Sequence, residues 1–78
     1  MDIAALQTVV LVAQHGSFAA AARVLNVDPS SVSRTVSGVE NSLGLRLFQR
    51  STRVLRMTEE GDVYLKSIIP LLELSLIH

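Results

Sequence analysis

Residues 17–43 read SFAAAARVLNVDPSSVSRTVSGVENSL, two short helices folded about the joint Leu25-Asn26-Val27-Asp28. Ser17 is an N-cap residue, because its hydroxyl oxygen accepts from a free amide of the first turn. Phe18, Ala21, Ala22 and Leu25 recur at helical spacing. The remaining positions are mostly small, so a second helix can cross this one closely. Asp28 is predicted to cap that second helix, and Pro29 to take its first position, where a missing N–H costs nothing. Val32, Val36, Val39 and Leu43 carry an apolar stripe at offsets of four, three and four, while Ser30, Arg34, Ser37, Gly38 and Asn41 project the opposite way. That outer face has no bulky apolar residue. Its chemistry suits entry into a groove rather than packing.

Outward from this unit, the stripe Ile3, Leu6, Val9, Val10 and Ala13 predicts a first helix over about Asp2 to Gln14, with Asp2 serving its free amides and Gly16 ending it. Gly44 is the natural break after Leu43, and Leu45, Leu47 and Phe48 close the bottom of the core. Arg46 should face water, and Glu40 reads as a solvent-facing helix residue. Phe48 to Thr58 has the pattern of two short antiparallel arms around a polar tip near Ser51 to Arg53. A last helix should start after Thr58, whose hydroxyl caps it, with Glu59, Glu60 and Asp62 near its positive end. Tyr64 and Ile68 are expected to face the small domain. Pro70 cannot donate to the Lys66 carbonyl and should bend this helix or start a new segment.

The 78 residues allow one small domain, and a chain this short buries only about 60% of its unfolded surface. An apolar fraction of 49% is more than such an interior needs, which points to a partner surface. Without cysteine there are no disulfides or thiolate metal sites, and His15 and His78 lie too far apart for a local metal motif. No cofactor and no metal are expected. Apolar runs are interrupted well before twenty residues, so no membrane span is expected and a soluble, cytoplasmic protein is. The net charge of zero conceals an asymmetry: residues 17–57 hold six arginines against Asp28 and Glu40, a net of +4, and the remainder holds −4. Six arginines beside a single lysine favour geometric recognition of phosphates and guanine edges.

Gly16-Ser17-Phe18, the paired alanines of the second helix, Val32-Ser33-Arg34, Leu43-Gly44, Leu47-Phe48, Arg50 and Thr58 with Gly61 occur together in one order and spacing. With them, the run from Ile3 through Gly61 resembles the N-terminal domain of LysR-type transcriptional regulators. The resemblance implies a mainly α fold, a winged helix-turn-helix with a short β ribbon and a C-terminal linker helix. Residues 1–58 would form the DNA-binding domain, and residues 59–78 the beginning of a linker and dimerisation helix that stops before an effector domain. It also implies double-stranded DNA as partner, a homodimer through that helix, and a small-molecule effector bound only by a domain absent from this chain. Many members of the family place glutamine then proline at the start of the recognition helix; here those positions read Pro29 and Ser30.

On this reading the second helix of the pair enters the major groove, where Ser30 and Ser31 meet phosphate or base edges and Arg34 bonds a guanine or a phosphate. Thr35 and Gly38 extend that surface. Ser17 either receives a phosphate at its helix start or serves only as a cap. Arg50, Arg53 and Arg56 flank the duplex, with Arg53 at the wing tip aimed at the minor groove. Arg23 meets distal backbone or solvent. The last helix has too many apolar residues for one face, so Ile69, Leu72 and Leu76 are expected to pair with a second chain. Catalysis is not expected, because there is no histidine beside an acid, no phosphate loop and no metal pattern. The alternative is a helical protein-interaction adaptor with incidental arginines.

Overall fold

The computed structural model describes residues 2–49 and 55–76, the last four of them by backbone alone. Helix α1 spans Ile3–His15, α2 Phe18–Leu25, α3 Pro29–Leu43 and α4 Glu59–Leu76, with strands β1 at Phe48–Gln49 and β2 at Arg56–Met57 between α3 and α4. This is a mainly helical winged helix-turn-helix with a two-stranded antiparallel ribbon.

Local chemistry sets most of the helix ends. The Asp2 carboxylate accepts from the Ala5 amide at 2.9 Å, and Ser17 Oγ from the Ala20 amide at the same distance. Gly16 and Gly44 close α1 and α3 in the left-handed region, at φ 71° and 70°. Asn26 does the same for α2 at φ 58°, a conformation that its short polar side chain tolerates. The turn is then locked by Val27, whose N–H donates to the Ala22 carbonyl at 3.0 Å. Asp28 occupies the N-cap position of α3 but makes no side-chain cap hydrogen bond. Pro29 and the extended backbone of Asp28 set that start instead.

The core lies where α1 packs against α2, α3 and α4. Val9, Val12, Ala21, Ala22, Val32, Val36 and Val39 are buried there, with Leu47 and Phe48 sealing one end. The two buried alanines make α2 thin enough for this approach. Each fully buried valine or leucine contributes about 1.5–3 kcal/mol through lost apolar hydration. The α1 stripe is rotated from the expected one, with Thr8, Val9 and Val12 buried and Ile3 half exposed. Thr8 tolerates burial because its hydroxyl donates to the Ala4 carbonyl at 3.0 Å. Leu25, expected inside, is exposed at the last turn of α2.

Helix α4 is fastened at its first turn. The Thr58 hydroxyl donates to the Arg46 carbonyl and accepts from the Gly61 amide, while the Thr58 N–H donates to the Leu47 carbonyl at 2.9 Å. Beyond it, Gly61, Leu65, Ile68 and Leu72 form the buried side, with Tyr64 and Ile69 half buried. The helix continues through Pro70 without a new segment. No helix of the described residues is long and apolar enough to cross a membrane.

Candidate nucleic-acid interface

The outer face of α3 is set by its inner one. Val32, Val36 and Val39 are drawn into the core, which leaves Ser30, Arg34, Gly38 and Asn41 exposed on the other side of the same helix. Ser31, Arg34, Thr35 and Gly38 follow one another at offsets of three, four and seven from Ser31, a single helical face. Arg34 Nη2 lies 3.4 Å from Ser31 Oγ, a long and exposed contact that leaves most of the guanidinium fork open to a ligand. Thr35 donates its hydroxyl to the Ser31 carbonyl at 3.0 Å, so toward an incoming group it offers lone pairs and a methyl. At Gly38 an added Cβ would meet nothing within 4 Å, so nothing among the described residues requires glycine there.

The ribbon has two unlike sides. Its register pairs Phe48 with Met57 and Gln49 with Arg56. Phe48 is buried, where its ring meets Phe18 edge to face at 6.2 Å, and Met57 is half buried. Gln49 and Arg56 are exposed, so a cationic residue stands on the outer side of the wing. Arg50 and Arg53 lie outside the described residues. Ser17 is half buried and acts as the N-cap of α2, which leaves its O–H as a donor. Arg23 is exposed near the end of α2. Among the described residues no group of three or more histidines and carboxylates is placed to hold a metal ion.

Burial corrects one expectation and bears on another. Glu40 does not face solvent: it is 5% exposed, and its Oε2 accepts from the amides of Leu47 at 2.7 Å and Phe48 at 3.3 Å. Oε1 is 3.6 Å from Arg46 Nη1, whose side chain remains largely in water as expected. The carboxylate is drawn in because it supplies the acceptor that two amides leaving the Gly44 turn would otherwise lack. The helical spacing did mark position 40, four residues after Val36, as an edge of the inner stripe. Leu72, expected to contact a second chain, is 7% exposed within a single chain and belongs to its core. The α4 side chains that do reach solvent include Val63 and Leu71, at 65% and 63%. Ile69 packs partly against the core, and the side chain of Leu76 lies outside the described residues.

Residues 3–62 match the model of the bacterial regulatory helix-turn-helix protein, lysR family. Over 53 residues, 68% of this chain, the sequence is 47% identical to the HTH-type transcriptional regulator PerR of Escherichia coli strain K12 and covers 18% of that protein. It is 49% identical to the HTH-type transcriptional activator AaeR of the same strain over an equal length, covering 17% of it. The chain therefore spans less than a fifth of these curated relatives. Among solved structures, the DNA-binding domain of BenM in complex with benA site 1 DNA superposes with a TM-score of 0.89 at 32% identity, over 94% of this chain and 82% of that one. The DNA-binding domain of CbnR in complex with DNA gives 0.88 at 33% identity, over 96% and 86%.

Proposed function

The chain belongs to the lysR family of bacterial regulatory helix-turn-helix proteins, and from that membership we propose that it binds double-stranded DNA sequence-specifically as the N-terminal domain of a transcriptional regulator. The observation that carries this reading is the outer face of α3, where Arg34 stands exposed among small polar residues while the valines behind it hold the helix rigidly on the core. Helix α3 enters the major groove with Ser30 and Ser31 leading. Arg34 meets a guanine edge or a phosphate, and Thr35 and Gly38 lie along the approach. Arg56 and Arg50 flank the duplex, Arg53 is the candidate for the minor groove, and Ser17 offers a donor at a helix start.

Titrating a labelled duplex at two salt concentrations, followed by selection from random duplexes, tests the reading. A DNA complex weakens steeply with salt as condensed counterions are released. A protein-interaction adaptor gives no such complex. With the selected operator, Arg34→Ala is expected to cost about 1–3 kcal/mol of binding with an unchanged thermal melt. Equal losses on specific and random duplexes would assign Arg34 to phosphate, and no loss would remove it from the interface.

Gly38→Ala is expected to act with opposite signs on the two measurements. Alanine at a helical position with open space around it raises stability by up to about 1 kcal/mol, while its methyl stands on the face offered to the duplex and lowers operator affinity. A higher melting temperature with undiminished affinity would show that the glycine has no part in the approach.

The same reading divides the chain at residue 58 and makes α4 the dimerisation element. Supporting it are the exposed Val63 and Leu71 on a helix whose opposite side is already committed to the core. Two-fold pairing sets two recognition helices about 34 Å apart, or at a multiple of that spacing, to meet successive major grooves.

A further inference from the structure

The buried carboxylate of Glu40 joins the two parts of the molecule that the proposed function asks to work together. It rises from the inner edge of α3, two residues after Gly38 and six after Arg34. One oxygen takes the amides of Leu47 and Phe48, at 2.7 and 3.3 Å, and the other faces Arg46 at 3.6 Å. Phe48 is the first residue of β1, and the carbonyls of Arg46 and Leu47 in turn receive the hydroxyl and the amide of Thr58, just beyond β2. Both strands of the ribbon are thus anchored, at their inner ends, to a short segment that a single α3 side chain holds. The amides lie seven and eight residues from Glu40 in sequence, across the left-handed turn at Gly44. Nothing within the helix requires a charge at this site, and a buried carboxylate is retained only where it is well supplied with donors.

We infer that Glu40 is a positioning residue for the wing: it fixes residues 46–48 to the recognition helix, so that Arg34 on α3 and Arg56 on β2 meet one duplex as a rigid pair. The inference rests on the DNA-binding reading and adds to it a residue that touches no DNA. Its signature is energetic coupling. If Glu40 acts by orienting the ribbon, its loss removes the benefit of Arg56 and leaves that of Arg34 intact.

The test is a pair of double-mutant cycles on the selected operator, with affinities corrected for the folded fraction measured by circular dichroism. Glu40→Leu keeps most of the side-chain volume and deletes the acceptor. It is expected to weaken binding about tenfold, as is Arg56→Ala, with the double variant within about twofold of either single one. Glu40→Leu combined with Arg34→Ala should instead multiply the two losses. Glu40→Gln keeps an oxygen for both amides and should retain most of the affinity, which a role resting on net charge would not predict, while a role resting on packing alone would already be kept by Glu40→Leu. Should Glu40→Leu fail to fold, Glu40→Asp, which draws the acceptor back by one methylene, carries the same cycles with smaller losses. Multiplicative losses with Arg56→Ala, in whichever variant folds, would overturn the inference while leaving the DNA-binding reading standing. Absence of a salt-sensitive duplex complex in the parent chain would overturn both.

Discussion

Gly61→Ala is expected to lower the stability of the domain by about 3 kcal/mol, the upper end of what overpacking usually costs. A Cβ at this position would stand 2.9 Å from both the carbonyl carbon and the Cα of Leu47, and closer still to the carbonyl oxygen. All three atoms are backbone, so no rotamer change relieves the clash. Leu47 cannot retreat either, because its side chain is fully buried, its amide is held by Glu40 and its carbonyl receives the Thr58 amide. The remaining escape is for the first turn of α4 to lift, which breaks the Thr58 contacts and uncovers Leu65 and Ile68. For a domain of this size the melting temperature should fall by roughly 12–24 °C. Chemical denaturation of the parent, Gly61→Ala and Gly38→Ala side by side gives the check, since the same substitution in open space at Gly38 should stabilise. A Gly61→Ala protein within about 0.5 kcal/mol of the parent would mean that α4 does not sit this close to Leu47.

The glycine and the carboxylate mark the boundary between what the sequence states locally and what it leaves to tertiary contact. Helix boundaries were legible because caps act within four residues: Asp2, Ser17, Gly16 and Gly44 each terminate a helix through their own side chain or φ angle. The α3 stripe was legible for the same reason, since three valines at helical spacing admit one inner face. Asp28 shows the limit of reading a cap from residue type, because Pro29 fixes the helix start and the Asp28 side chain makes no cap bond. Glu40 was misread because charge outweighed spacing. Its position fell on the apolar edge, and only the amides of Leu47 and Phe48, brought in by the Gly44 turn, make burial of a carboxylate tolerable. On the candidate interface, the outward placement of Ser30, Arg34 and Gly38 follows from periodicity alone. For α4 the sequence offered more apolar residues than one face needs; it set Tyr64 and Ile68 toward the domain, where Ile68 is buried and Tyr64 half buried, but set Leu72 on the other side. The sorting depends on how the Thr58 staple and Gly61 orient the helix on Leu47, and it turns Leu72 inward.

That orientation separates two adjacent leucines by an experiment with opposite outcomes. Leu71 is 63% exposed and Leu72 7%, so Leu71→Asp is expected to leave the single chain folded and abolish dimerisation. Leu72→Asp is expected to destabilise the chain itself by about 3 kcal/mol or more, because it removes a packed leucine and forces a carboxylate toward the core. Sedimentation equilibrium at micromolar concentration reads the first effect: a dimeric parent and a monomeric Leu71→Asp protein. Melts must be compared at a dilution where the parent has dissociated, since association itself raises apparent stability by mass action. Under those conditions Leu71→Asp should match the parent and Leu72→Asp should not. DNA binding amplifies the difference. A dimer places its second recognition helix at a high effective concentration over the second half-site, so Leu71→Asp should lose about 10²-fold or more on a two-half-site operator and little on a single half-site. A parent that stays monomeric, or a Leu71→Asp variant that stays dimeric, would remove this face of α4 from the interface. A loss of equal size on both operators would instead mean that Leu71 supports the fold of the DNA-binding unit.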